Sequence, residues 1–337
     1  MSSEPFPFVS VTVPVRNEES YVADCLRSLL NQDYPWDGFE IIVVDNDSSD
    51  RSADAIAQFP VRYVFEKKRG AAAARNAGVR QSKGELLAFI DSDCIAPPDW
   101  LSSLVLAFNR REVDAIGGEC IYAEGTSLLD DFLAFVDSWR RKSAVLHGQP
   151  PVLLTGNLIV SRSIFEQAGG FEEALLRGED TDFSWFVLEG GGCLSFLPDL
   201  NVLHRRRTSV TDFLSKRFWS SAALYFLNRR YRWVLATFGK REFSLQGELT
   251  GFLFKIRNRF KRVFLTDNGL SLYRKVAYFI LSALGYAAVK LAEWLCWLLY
   301  DVLKRPTPLI RPRSFLNNRL HFVHQAGQIT DRSISSV

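Results

Sequence analysis

The sequence predicts an α/β protein, a mainly parallel sheet flanked by helices and followed by a C-terminal helical extension. Three observations predict it. Over the first 120 residues, short runs rich in β-branched residues alternate with stretches whose apolar residues recur at helical spacing. The strand-like runs are almost wholly apolar, as strands covered on both faces are. From residue 213 the character changes: aromatics interleave with arginines, and an uncharged run, "VAYFILSALGYAAV", fills 276–289. The expected division is a first domain over 1–210, a basic and apolar helical extension over 211–305, and a polar tail over 306–337.

The elements follow in order. "FVSVTVPV" (8–15) reads as a strand, and Tyr21, Val22, Cys25, Leu26, Leu29 and Leu30 then fall at helical spacing. "FEIIVVD" (39–45) is a second strand, stopped by the polar cluster "NDSSD". "VRYVF" (61–65) is a third, "GAAAARNAGVRQS" (70–82) a helix, and "ELLAFID" (85–91) a fourth strand. "PDWLSSLVLAF" (98–108) opens a helix for which Asp99 is the expected cap. In the middle third, 114–123 reads as a strand and 127–146 as helical. Residues 153–173 read as a strand and a short helix closed by Gly-Gly, and 178–192 as a helix with acids in its first turn, where the helix dipole favours them. The fourteen uncharged residues 276–289 fall short of the roughly 20 that cross a bilayer. Extension to Tyr300 gives twenty-five but takes in Lys290 and Glu293.

Composition is that of a globular protein, with 47% apolar and 23% charged residues. The net charge of +3 is unevenly spread: residues 201–275 hold seventeen Lys/Arg against four Asp/Glu, a local +13. Such a segment expects an anionic partner: phosphate, nucleic acid or a lipid surface. No nucleic-acid-binding motif accompanies it, which favours an anionic membrane surface. The five cysteines are scattered, with no C-x-x-C, so neither a disulfide framework nor a zinc site is expected and a reducing compartment fits. The N-terminus lacks a basic then apolar leader pattern, and the expected location is cytoplasmic, on the inner face of the cell membrane. No G-x-G-x-x-G follows a strand, which disfavours a dinucleotide oxidoreductase.

Parallel sheets bind ligands beyond the carboxyl ends of their strands, and the acids at 45, 47, 91 and 93 all fall there. An isolated Asp at a strand end is ordinarily a turn or cap residue. In an extended segment, however, Asp91 and Asp93 point to the same side, and the repulsion of two carboxylates asks for a cation. Hard divalent ions such as Mg²⁺ or Mn²⁺ take one or two carboxylates plus substrate phosphates. In "KKRGAAAARNAG" (67–78), Arg75 follows a small-residue run that either admits a ligand or packs a helix. "RGEDTDF" (177–183) crowds acids, and a carboxylate beside others has its pKa raised toward that of a general base. His204 in "HRRRT" is either structural or a ligand to metal or diphosphate.

Taken in order, "VTVPVRNEESYVADCLRSLLNQ", "EIIVVDNDSSD", "RGAAAARNAG", "LLAFIDSDCIAPPDWL", "TGNLIVSRSIFEQAGGFEE" and "GEDTDF" resemble the family 2 glycosyltransferases of the GT-A fold, over about residues 8–210. The resemblance implies inverting transfer of a sugar from a nucleotide diphosphate donor, usually UDP-linked, to a hydroxyl acceptor, with Mg²⁺ or Mn²⁺. It implies that Pro14, Arg16 and Glu18 form the nucleotide-binding strand end. Asp45 reads the base with Asp47 in the same turn, and Arg75 lies near the donor. Asp91 and Asp93 form the Asp-x-Asp, Asp93 being the more direct metal ligand. Asp180 is the catalytic base beside Glu179, Gly156 and Asn157 form the acceptor-side loop, and His204 is a further metal or diphosphate contact. Two departures stand out: "DNDSSD" lacks the glycine common in its turn, and Phe186 stands where many relatives have arginine. The extension lies outside the resemblance; membrane attachment there would suit a lipid-linked acceptor in polysaccharide or glycolipid assembly. Rival readings are a nucleotidyltransferase, which would need a Gly-rich basic loop after the first strand, and a non-catalytic sugar-nucleotide scaffold.

Overall fold

A computed structural model describes residues 7–110, 113–123, 127–133, 150–205, 209–237 and 271–302. The described residues form two compact units, one of those up to Ile121 with Pro151–Arg205, the other of those within 122–150 and 206–308. The rest of the helix expected over 127–146, from residue 134 on, arginines 206–208, much of the basic segment and the polar tail lie outside the described residues.

The first unit is built on an eight-stranded sheet of order β3-β2-β1-β4-β7-β6-β8-β5. Its strands are β1 (Val9–Val15), β2 (Phe39–Asp45), β3 (Arg62–Phe65), β4 (Leu86–Ile90), β5 (Cys94–Ile95), β6 (Ala115–Tyr122), β7 (Asn157–Ser161) and β8 (Leu194–His204). The expected parallel pairing holds for β1 with β2, β1 with β4 and β2 with β3. Beyond β4 the pairing turns antiparallel, for β4 with β7, β6 with β7 and β5 with β8. Every residue of β4 is buried, which is why its sequence reads as an unbroken apolar run.

The small residues of the helix Ala71–Arg80 serve packing. A Cβ on Gly78 would come within 2.4 Å of the Thr12 methyl, so the helix lies directly against β1. Ala74 and Ala77 pack on Ile42 and Val44 of β2 in the same way. This close seating buries Arg75, four residues into the helix, to 4% exposure. Asn76, next to it, pins the segment after Gly169 and Gly170: its Oδ1 accepts from the Phe171 N–H at 2.9 Å, and its Nδ2 donates to the Phe171 carbonyl at 2.9 Å. Asp99 occupies the position before the helix Trp100–Asn109, but its side chain accepts from Ser103 Oγ at 3.2 Å instead of capping a backbone N–H.

Two elements escape a periodicity reading, the five-residue helix Ser52–Ile56 and the two-residue strand β5. The second has consequences, because β5 pairs Cys94 with His204 and so brings Asp93 beside His204.

Candidate active site

The residues singled out by sequence lie in the first unit, mostly at the carboxyl ends of β1, β2 and β4 and on segments that abut them. The extended geometry expected at 91–93 does not hold. The Cys94 N–H donates to the Asp91 carbonyl at 3.0 Å, closing a turn, so the two carboxylates serve different partners.

Asp91 belongs to a charged cluster around Arg75. The guanidinium donates from Nη2 to Asp91 Oδ1 at 2.6 Å and from Nη1 to Glu179 Oε1 at 2.9 Å. Glu179 opens the helix Glu179–Glu189, whose preceding residue Gly178 has φ +88°, a left-handed conformation that glycine adopts without strain. One buried cation therefore ties the end of β4 to the start of this helix. Asp180, the next residue, accepts from the Thr181 N–H at 2.7 Å. Burial, then the adjacent Glu179 charge, pushes its carboxyl up to about 6, against the pull of Thr181 and Arg75. A carboxylate so placed is a stronger base than an exposed one.

Asp93 belongs to a second cluster. Its Oδ1 lies 3.5 Å from His204 Nε2, and the other ring nitrogen, Nδ1, is 2.8 Å from the Arg205 carbonyl oxygen. A carbonyl only accepts, so Nδ1 donates its N–H there, which leaves Nε2 as the ring nitrogen nearest Asp93. Asp93, Cys94 and His204 form a group that could hold a metal ion. Cys94 is a poor third ligand: a hydrogen bond with Cys120, then burial, holds its thiol far above the usual range and hence protonated. The remaining oxygen and nitrogen donors suit Mn²⁺ or Mg²⁺. Asp91, expected as a metal ligand, lies outside this group, its Oδ1 taken by Arg75.

The loop expected to face an acceptor divides into two parts. Gly156 abuts Asp91, for a Cβ there would meet Asp91 Oδ2 at 3.0 Å. The side chain of Asn157 is wholly buried instead: it accepts from Trp100 Nε1 at 2.9 Å and donates to the carbonyls of Leu200 at 2.8 Å and Glu119 at 3.1 Å. It fastens β7 to β6, β8 and the Trp100–Asn109 helix.

At the end of β1, Pro14 pairs with Val44, Arg16 is exposed, and the Glu18 N–H donates to Ser52 Oγ at 2.7 Å. Asp45 is 3% exposed, and its carboxylate accepts from the Ser48 N–H at 3.0 Å and the Tyr63 hydroxyl at 2.9 Å. Burial, then the bond to Asp45, pushes the Tyr63 phenol up to about 12, so it stays a donor. Asp47 itself takes the left-handed conformation, φ +59°, that a glycine would fill, and pairs with Arg69 at 2.8 Å. Tyr63 and Thr181 have no signal in the sequence, since their roles come from the strand beside Asp45 and the backbone turn at Asp180. Phe186 is 1% exposed and belongs to the core.

The sequence profile of glycosyl transferase family 2 matches residues 10–169. The glycosyltransferase AglE of Haloferax volcanii is 32% identical over 220 residues, covering 63% of this chain and 71% of that protein. The pre-mycofactocin glycosyltransferase of Mycobacterium tuberculosis is 30% identical over 64% of this chain, which spans 46% of that longer relative. Among solved structures, the mannosyltransferase PcManGT from Pyrobaculum calidifontis, in complex with GDP-Man and Mn²⁺, superposes with a TM-score of 0.58 at 19% identity, covering 86% of this chain and 88% of that one. The fold is thus the GT-A glycosyltransferase fold, and the chain belongs to glycosyltransferase family 2.

Proposed function

We propose that this glycosyltransferase is an inverting, divalent-metal-dependent enzyme. It moves a sugar from a nucleotide diphosphate donor, UDP-linked in the first instance, to a hydroxyl of a lipid-linked acceptor at the cytoplasmic membrane face, in polysaccharide or glycolipid assembly. The observation that carries the catalytic part is the Arg75 bridge, which holds Asp91 and Glu179, and with Glu179 the raised carboxyl of Asp180, to one end of the sheet. Asp180 takes the proton of the acceptor hydroxyl as its oxygen bonds to the anomeric carbon. The bond from that carbon to the diphosphate oxygen breaks on the opposite face, inverting the centre. Asp93 and His204 would hold the divalent ion, which when bound neutralises charge on the diphosphate. The complex of the like-folded mannosyltransferase with GDP-Man and Mn²⁺ supports a nucleotide diphosphate donor and a divalent ion here. Pro14, Arg16, Glu18, Asp45 and Asp47 line the end of the sheet assigned to the nucleotide, and Gly156 the approach to Asp91.

The test is release of nucleoside diphosphate from a panel of nucleotide sugars, with and without EDTA. We expect turnover with Mn²⁺ or Mg²⁺, lost in EDTA and lost in Asp93→Ala at an unchanged circular dichroism spectrum. Full turnover in Asp93→Ala would refute the assignment of the metal.

A further inference from the structure

The helical unit has a face that the catalytic reading leaves unused. The helix Leu272–Cys296 packs one side against the helix Val210–Arg230. Phe213 meets Tyr278 and Leu281 near one end, and Ala222 and Tyr225 meet Ala292 and Cys296 near the other. A Cβ on Gly285 would lie 2.8 Å from the Phe213 ring, so the glycine makes room for that ring between the helices. The contacts advance together along both helices, which therefore run side by side in the same direction.

Of the two internal charges of the apolar helix, Glu293 meets this partner and Lys290 pairs with Glu293. Lys290 Nζ pairs with Glu293 Oε2 at 2.5 Å, and Ser221 Oγ of the neighbouring helix donates to Glu293 Oε1 at 3.4 Å. The opposite side exposes Tyr273 (73%), Val276 (43%), Ile280 (51%), Leu284 (44%), Leu291 (51%) and Trp294 (52%). Steps of three, four and seven residues put these on one stripe, about 31 Å long at 1.5 Å per residue. Only 28% of the helix's most apolar 18 residues is buried.

By length and composition alone this helix could cross a membrane. Its partner could not go with it. Val210–Arg230 carries Asp212, Lys216, Arg217, Arg229 and Arg230, with Lys216 45% and Asp212 41% exposed. Each such group costs on the order of 3 kcal/mol or more at the bilayer centre. Together the two helices hold seven Lys/Arg against two Asp/Glu, a net +5, which complements anionic headgroups.

We propose that the helix Leu272–Cys296 lies in the plane of an anionic membrane surface, with the Tyr273–Trp294 stripe among the upper acyl chains and the partner helix on the water side. This rests on the membrane-facing part of the proposed function and adds the docking face and its orientation. Such a helix sinks by about 5–10 Å, with Tyr273 and Trp294 at the polar boundary.

The test uses the full-length chain and vesicles of phosphatidylcholine with or without phosphatidylglycerol. The expected result is co-sedimentation that needs phosphatidylglycerol, release by carbonate at high pH, and at least tenfold weaker binding by Ile280→Glu/Leu284→Glu at an unchanged circular dichroism spectrum. Donor turnover by that double variant in detergent stays at the wild-type level, which separates loss of docking from loss of the enzyme. Resistance to carbonate extraction would overturn the in-plane orientation while leaving membrane attachment standing. Absence of vesicle binding overturns both, and if the double variant also converts a dimer to a monomer, the stripe is a contact between two copies of this chain.

Discussion

Replacing Asp180 by asparagine removes a charge that burial and Glu179 both oppose, at nearly constant shape. The carboxyl sits at about 6 in the folded chain, against an ordinary value of 3.8. Between these two pH values the folded state holds the proton more tightly than the unfolded state does. The contribution of this group to stability is therefore most favourable below about pH 4, falls as the pH rises through about 6, and at pH 7 carries the whole penalty of the ionised carboxylate. At about 1.4 kcal/mol per pH unit, that penalty has a ceiling on the order of 3 kcal/mol. Sharing of the charge with Glu179 and Arg75 makes 1–3 kcal/mol, in order of magnitude, the working range. Asp180→Asn should then melt several degrees higher than the wild type at pH 7, at about 2–4 °C per kcal/mol for a unit of this size, in chelator and without donor. At pH 4 the gain should vanish. Sugar transfer should be lost while donor binding persists, because an amide does not take the acceptor proton. An unchanged or lowered melting temperature at pH 7 would refute the account of the raised carboxyl, and retained transfer would refute its role as base.

Two further substitutions separate structural from catalytic parts. Asn157→Ala leaves the Trp100 indole and the carbonyls of Glu119 and Leu200 without their buried partner, and should cost about 2–4 kcal/mol in urea unfolding; a loss below about 1 kcal/mol would reopen a direct acceptor role. Phe186→Arg, which installs the residue that the family resemblance leads one to expect, buries an unpaired guanidinium at a position 1% exposed and should cost more than about 3 kcal/mol, read as lost soluble yield; a stable, active variant would mean that this helix turns readily.

The parallel half of the sheet was legible because β1, β2 and β4 are buried throughout or nearly so and read as unbroken apolar runs. The clusters of the site were legible as residue types at strand ends. Their pairings were not. Arg75 meets Glu179 across 104 positions of sequence, and Asp93 meets His204 only because a two-residue strand, too short to show a period, pairs with β8. Asn157 was expected in an acceptor-side loop on the family resemblance alone, and nothing in its local sequence signals a buried side chain. Its burial depends on Gly118, where a Cβ would collide with the Leu200 carbonyl at 1.8 Å, so β6 and β8 close over it. The small-residue run before Arg75 admitted two readings, and Gly78 against Thr12 decides for packing.

The turn at 91–94 changes what the pair of acids can do. Had the segment stayed extended, both carboxylates would face one cation, and each would be half of the same ligand set. With the turn, Asp91 shares a single buried guanidinium with Glu179, and Asp180 stands one residue further on. Three acids then surround one permanent positive charge; burial first and the Glu179 charge second raise the carboxyl of Asp180, which Arg75 only partly offsets. Asp93, outside that cluster, lies with its Oδ1 3.5 Å from His204 Nε2, close enough for the two to share a proton or a cation. On the proposed reading the site divides into a base, Asp180, and a separate pair, Asp93 and His204, that would hold the cation. Asp91 belongs to the first of these alone, held by Arg75 and abutted by Gly156.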